Sequence, residues 1–219
     1  MPDVSVRDSQ RWLRIAIERH PQVLLNALRR PLGLAATDTI EWRSPLRAAA
    51  FAQYCDGAAL DLVVKEKLRH RTLQEFWPGP GIVWDALGVV SGERPIFIEA
   101  KADIAEAVLP VQASAAALAR ISKSMAETRK FYAPSAAPGW TRMFHRYTSR
   151  LAHHYLLREL NGIQSYLVFL YFVNAEVDGS LSSRARWEGA IDVVHAALGL
   201  TRFLSEGLHE VFVDVRELA

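Results

Sequence analysis

The chain has 219 residues, half of them hydrophobic, with 26 basic and 24 acidic side chains and a net charge of +2. That length supports one hydrophobic core, and 23% charged with 10% aromatic residues excludes a disordered chain. A lone cysteine, Cys55, excludes an internal disulfide and reads as a small packing residue in a reducing compartment.

The first residues lack a basic stretch followed by an apolar core, so no secretory signal is expected. The longest strongly apolar run, Tyr166 to Val173, is too short to cross a bilayer as a helix. The expectation is a soluble, cytoplasmic protein with no membrane partner.

In chain order, Asp8-Ser9 caps a helix over Gln10 to Arg19, and Pro21 opens a second through Arg29. These helices form an N-terminal extension over residues 1–43. Ser44-Pro45 reads as N-cap and first helical position of an alanine-rich helix running to about Val64. Lys65 to Gln74 has no clear periodicity, and Pro78-Gly-Pro-Gly81 is a turn.

Ile82 to Val90 and Pro95 to Lys101 are rich in β-branched and aromatic residues and flank Ser91-Gly92-Glu93-Arg94, which predicts a β-hairpin. Helices follow over Ala113 to Phe131 and Thr141 to Leu160, the second closed by Asn161-Gly162. Tyr166 to Val173 predicts a strand covered on both faces. A helix near Trp187 to Leu198 and a strand over Glu210 to Val215 complete an α/β chain with a central mixed sheet flanked by helices.

The hairpin carries the chemistry. Strand residues two apart share a face, so Glu99 and Lys101 project together and Ala100 points away. A hairpin centred on Gly92 pairs positions equidistant from it, which sets Asp85 opposite Glu99. Two facing carboxylates repel, and a hard divalent cation relieves the repulsion. Asp85, Glu99 and the Ala100 carbonyl are the expected ligands of Mg²⁺ or Mn²⁺. Lys101 would orient a water and offset negative charge on a phosphate. A plain salt bridge at a strand end is the structural alternative.

Charge is uneven along the chain. Between Arg120 and Arg150 seven basic residues face one acid, Glu127, whereas the stretch from Glu176 onward is acidic. That asymmetry suggests a face for an anionic partner or a solvated helix surface, and Arg146 and Arg150, one helical turn apart, are either phosphate contacts or partners of acids. The aromatics among these basic residues, Phe131, Tyr132, Trp140, Phe144 and Tyr147, are expected to be core, with stacking on unpaired bases as the alternative. His145, His153 and His154 do not have the spacing of a transition-metal site.

Asp85, a hairpin, Glu99-Ala100-Lys101, then helices and an apolar strand resemble the PD-(D/E)XK nuclease superfamily. Its core is a helix, a three-stranded antiparallel sheet, a helix and a further strand. The resemblance covers roughly Ser44 to Val173, making residues 44–219 a restriction-endonuclease-like domain. The helices from Leu46 to Val64 and from Thr141 to Leu160 would flank its sheet. It implies a Mg²⁺-dependent nuclease that hydrolyses nucleic acid, DNA in the first instance, with Asp85, Glu99 and Lys101 as the catalytic set. Trp84 stands where the motif has proline. Many members place a further acid on the first helix, for which Asp56 and then Glu66 are candidates. The superfamily also holds inactive members, which leaves open a nuclease-fold chain that binds nucleic acid or a protein without cleaving. A homodimer is compatible with either reading.

Overall fold

The computed structural model describes residues 8–107, 115–141, 144–177, 180–201 and 205–219. Helices α1 (Asp8–Glu18) and α2 (Pro21–Arg29) form near the expected ranges, with Pro21 opening α2; Asp8 and Ser9, expected as a cap, lie within the first turn of α1, where Ser9 donates to Glu106. Leu13, Ala16, Ile17, Leu24 and Leu28 recur at helical spacing and are buried.

The next segment departs from expectation. Strand β1 (Ile40–Ser44) ends on the residue expected to cap the long helix and is followed by a 3-10 turn at Arg47–Ala49. Ala50 and Phe51 then adopt left-handed backbone (φ 50° and 58°), and only α3 (Asp56–Val63) is α-helical. Ile40 and Trp42 are half-buried while Glu41 and Arg43 are exposed, the alternation of a strand with one covered face. Pairing of Ser44 with Leu87 and the left-handed backbone at Ala50 and Phe51 interrupt what alanine propensity alone would make one helix. Ser44, read as a helix cap, donates its hydroxyl to the Ala52 carbonyl at 2.8 Å instead.

Across the end of the aperiodic segment, α4 (Leu73–Phe76) is a single turn fixed by a Thr72/Glu75 capping box. Strands β2 (Ala86–Val90) and β3 (Arg94–Lys101) make the hairpin, and Ser91 and Gly92 both have positive φ, as tight hairpin turns require. The register pairs Ala86 with Ile98 and Leu87 with Phe97, centred on Gly92 as expected. Gly88 admits no side chain, because a Cβ there would lie 3.0 Å from both the Glu41 carbonyl oxygen and the Trp42 ring.

A short 3-10 helix (Ile104–Ala107), α5 (Ala115–Tyr132) and α6 (His145–Arg158) lead to β4 (Tyr166–Val173), whose residues are all buried. Residues 113–114 and 142–143, at the starts expected for these two helices, lie outside the described residues. Helix α6 ends at Arg158 with Glu159 as its C-cap, two residues before the expected Leu160, and Gly162 (φ 70°) lies beyond it in the turn that follows. The small hairpin β5 (Glu176–Val177) and β6 (Ser180–Leu181), then α7 (Arg184–Leu198), precede β7 (Leu208–Asp214) and a closing 3-10 turn.

The chain is α/β, with a five-stranded mixed sheet of order β1-β2-β3-β4-β7. The first two pairings are antiparallel and the last two parallel. Parallel neighbours need long crossovers, and α5–α6 and α7 supply them. On one face, Ile96, Ile98, Ala100, Val168 and Leu170 pack against α1 and α2. On the other, Phe97, Phe169 and Tyr171 meet α3, α6 and α7. The helices covering opposite faces are therefore α1–α2 and α6, not the 46–64 and 141–160 segments, since α3 shares the α6 face. The boundary drawn at residue 43 falls inside β1, and α1 and α2 share one apolar cluster with the sheet. No described helix is long and apolar enough to cross a membrane.

Candidate active site

Asp85 immediately precedes β2 and is clasped across the hairpin. Its N–H donates to the Ile98 carbonyl at 3.1 Å, and its Oδ2 accepts from the Ala100 N–H at 2.9 Å. That double hold puts its carboxylate on the sheet face from which Glu99 and Lys101 project. All three are buried, with 1%, 0% and 4% exposure. Ala100, on the opposite face, meets the carboxylate only through its backbone.

Helix α6 supplies the rest. Phe144, in left-handed backbone at φ 49°, turns the chain into the helix. Arg146 and Arg150 then descend on the sheet one turn apart. Arg146 Nε lies 3.0 Å from Glu99 Oε1, and its Nη2 lies 4.0 Å from Asp85 Oδ2. Arg150 Nη2 lies 2.7 Å from Glu99 Oε2 and donates to the Val83 carbonyl at 2.7 Å. Its guanidinium also sits over the Trp84 ring, 5.4 Å from the centroid. Lys101 Nζ donates to Glu99 Oε1. The fold thus gathers Asp85, Glu99, Lys101, Arg146 and Arg150 in one cluster.

No family profile, curated protein or solved structure matches the chain. The cluster is therefore judged on its own chemistry.

Two carboxylates face three cations. Burial works against ionisation of Glu99, but Arg150, Lys101 and Arg146 overcome it and hold the carboxyl at about 2. Asp85 goes the other way: burial, then the charge of Glu99, push its pKa up. Burial lowers the pKa of Lys101 against the pull of Glu99. The compensation expected of a divalent ion is thus supplied by side chains.

The donor set nonetheless suits a hard cation. Mg²⁺ is commonly held by one or two carboxylates with waters and phosphate oxygens completing its shell. Glu99 Oε2 faces Arg150 and Oε1 faces Lys101 and Arg146, so an ion here would share the carboxylate with these cations or displace one of them. Among the described residues, no group of three or more His, Cys, Asp or Glu side chains surrounds a common point. An ion would therefore rest on the two carboxylates and backbone oxygen.

Other candidates stand elsewhere. Asp56 caps the Pro-Gly turn, accepting from the Gly81 N–H at 2.8 Å, and Glu66 is an exposed partner of Arg69. His145 and His153 are held neutral by burial, with pKa values of about 4 and about 3. Trp140 and Tyr147 are core, the latter stacked on Phe169 with centroids 3.9 Å apart, while Phe131 is exposed.

Sequence reasoning missed Gln53. Its amide donates to Asp85 Oδ1 at 3.3 Å and to the Trp84 carbonyl at 3.4 Å, while Gln10 of α1 donates to its side-chain oxygen at 2.9 Å. Glu106 is likewise drawn near, bonded by Ser9 Oγ at 2.8 Å and close enough to Arg146 to raise its pKa after burial, Glu99 and Asp85 are counted. Neither residue carries a local signal. Their roles come from α1 crossing to the hairpin.

Proposed function

We propose that the chain is a divalent-cation-dependent phosphodiesterase acting on nucleic acid, DNA in the first instance, built on a restriction-endonuclease-like core. The observation that carries this reading is the convergence of Asp85, Glu99 and Lys101 on one sheet face, across a hairpin whose register forces it. The order of α1–α2, three antiparallel strands, helices and a parallel strand also agrees with the core of the superfamily that the motif resembles.

In this reading Asp85, Glu99 and the Ala100 carbonyl hold Mg²⁺ or Mn²⁺. Such an ion, when bound, supplies a more acidic water and offsets charge on a phosphate. Lys101 stands beside Glu99, where an ammonium stabilises negative charge developing on the phosphoryl oxygens. Arg150, fixed by Val83 and Trp84, orients Glu99. Arg146 meets the substrate phosphate.

A second reading, a nuclease-fold chain that binds without cleaving, is favoured by one observation: the carboxylates are already matched by three cations. Incubation with plasmid, linear duplex, single-stranded DNA and RNA, with and without Mg²⁺ or Mn²⁺, separates the two. Metal-dependent cleavage is expected, falling about 100-fold or more in Asp85→Asn and Lys101→Ala. Thermal unfolding should show both variants folded, since Glu99 keeps both arginines in each. Cleavage untouched by either substitution removes the proposed site; binding without cleavage in any metal establishes the second reading.

A further inference from the structure

The two arginines differ in how they are held. Arg150 is 4% exposed and is pinned by the Val83 carbonyl, the Trp84 ring and Glu99. Arg146 is less buried, with a side chain 17% exposed, and spans both carboxylates, 3.0 Å from Glu99 and 4.0 Å from Asp85. Its guanidinium therefore contacts the two groups that a shared divalent ion would bridge.

Resting on the reading above, we propose that Arg146 competes with the divalent ion for Asp85 and Glu99, and that a substrate phosphate relieves the competition by drawing Arg146 away. Charge makes the exchange necessary. With both acids ionised, the five groups of Asp85, Glu99, Lys101, Arg146 and Arg150 carry +1, offset in part by Glu106 beside Arg146, and a divalent ion would add +2. So concentrated a charge in a desolvated site is unfavourable unless a cation leaves or an anion arrives. Arg150 is anchored and Lys101 is bonded to Glu99 within the same strand, so Arg146, nearest to solvent, is the group that moves. A phosphodiester supplies the anion and a bidentate partner for its guanidinium. Metal and nucleic acid then load together, and each tightens the other by the same factor.

Isothermal titration of Mn²⁺ into the whole protein, with and without a short phosphorothioate DNA duplex, reads the coupling without turnover. The wild type should bind Mn²⁺ more tightly with the duplex, by a factor in the usual range of about 5–150. Arg146→Ala and Arg146→Gln should bind Mn²⁺ more tightly than the wild type without DNA, by about tenfold, and lose most of the duplex effect. Circular dichroism confirms that the variants are folded, and the wild-type comparison needs no variant at all. Equal Mn²⁺ affinity in wild type and both variants, or no duplex effect in the wild type, overturns the competition and leaves a metal-dependent nuclease standing. Absence of Mn²⁺ binding in every protein, with and without DNA, overturns both the competition and the metal site.

Discussion

The two faces of the sheet are made by alternate residues of the same strands, yet they bury different chemistry. Along β3, Ile96, Ile98 and Ala100 meet the leucines of α1 and α2, whereas Phe97, Glu99 and Lys101 face α6. Apolar contacts are non-directional and tolerate similar shapes. The buried charges opposite must be matched group by group. One face is thus built for packing, and the other holds an electrostatic arrangement that packing alone would not retain.

The largest expected effect comes from breaking the charged face. Glu99→Ala leaves Arg150 and Lys101 buried with their carboxylate gone, and denaturant unfolding should show a loss of about 3–5 kcal/mol. A loss below about 1 kcal/mol would mean that the cations reach water without cost.

A cut into the apolar face should cost stability alone. Leu170→Ala, at a position with no exposure, is expected to lose about 2–5 kcal/mol by the same measurement. Its Mn²⁺ affinity, measured while still folded, should match the wild type. Altered affinity would show that the faces are coupled through the sheet.

The smallest effect lies in acid, where the two carboxyls oppose each other. The carboxyl of Glu99 falls from 4.5 to about 2 on folding, so its stabilisation is present above 4.5 and is lost as pH falls toward 2. Asp85 has the opposite sign: its raised pKa favours the folded state as pH falls through that pKa toward 3.8. Asp85→Asn removes this offset, so its stability should drop more steeply than that of the wild type between neutral pH and 2 in urea unfolding. A shallower drop would contradict the assigned direction for Asp85.

The local signals that proved legible were those in which neighbours in sequence are neighbours in space. Gly92 sets the hairpin register, and the register brings Asp85 to Ala100 and Glu99. Pro21 marks the start of α2 through its own backbone restriction. The stretch from Ser44 to Val64 is not legible as a strand end, a 3-10 turn and a short helix, because its alanine content favours one helix while Ser44 pairs with Leu87, far along the chain.

The sequence by itself determined the hairpin, its register and the grouping of two acids with a lysine, because strand periodicity and a tight turn act over a few residues. Only the tertiary structure decided what surrounds them: the arginines that α6 lays over Glu99, and the Gln10–Gln53 relay that reaches Asp85. Those contacts join distant segments, and their charge balance exists only once burial has removed the water that would otherwise screen it.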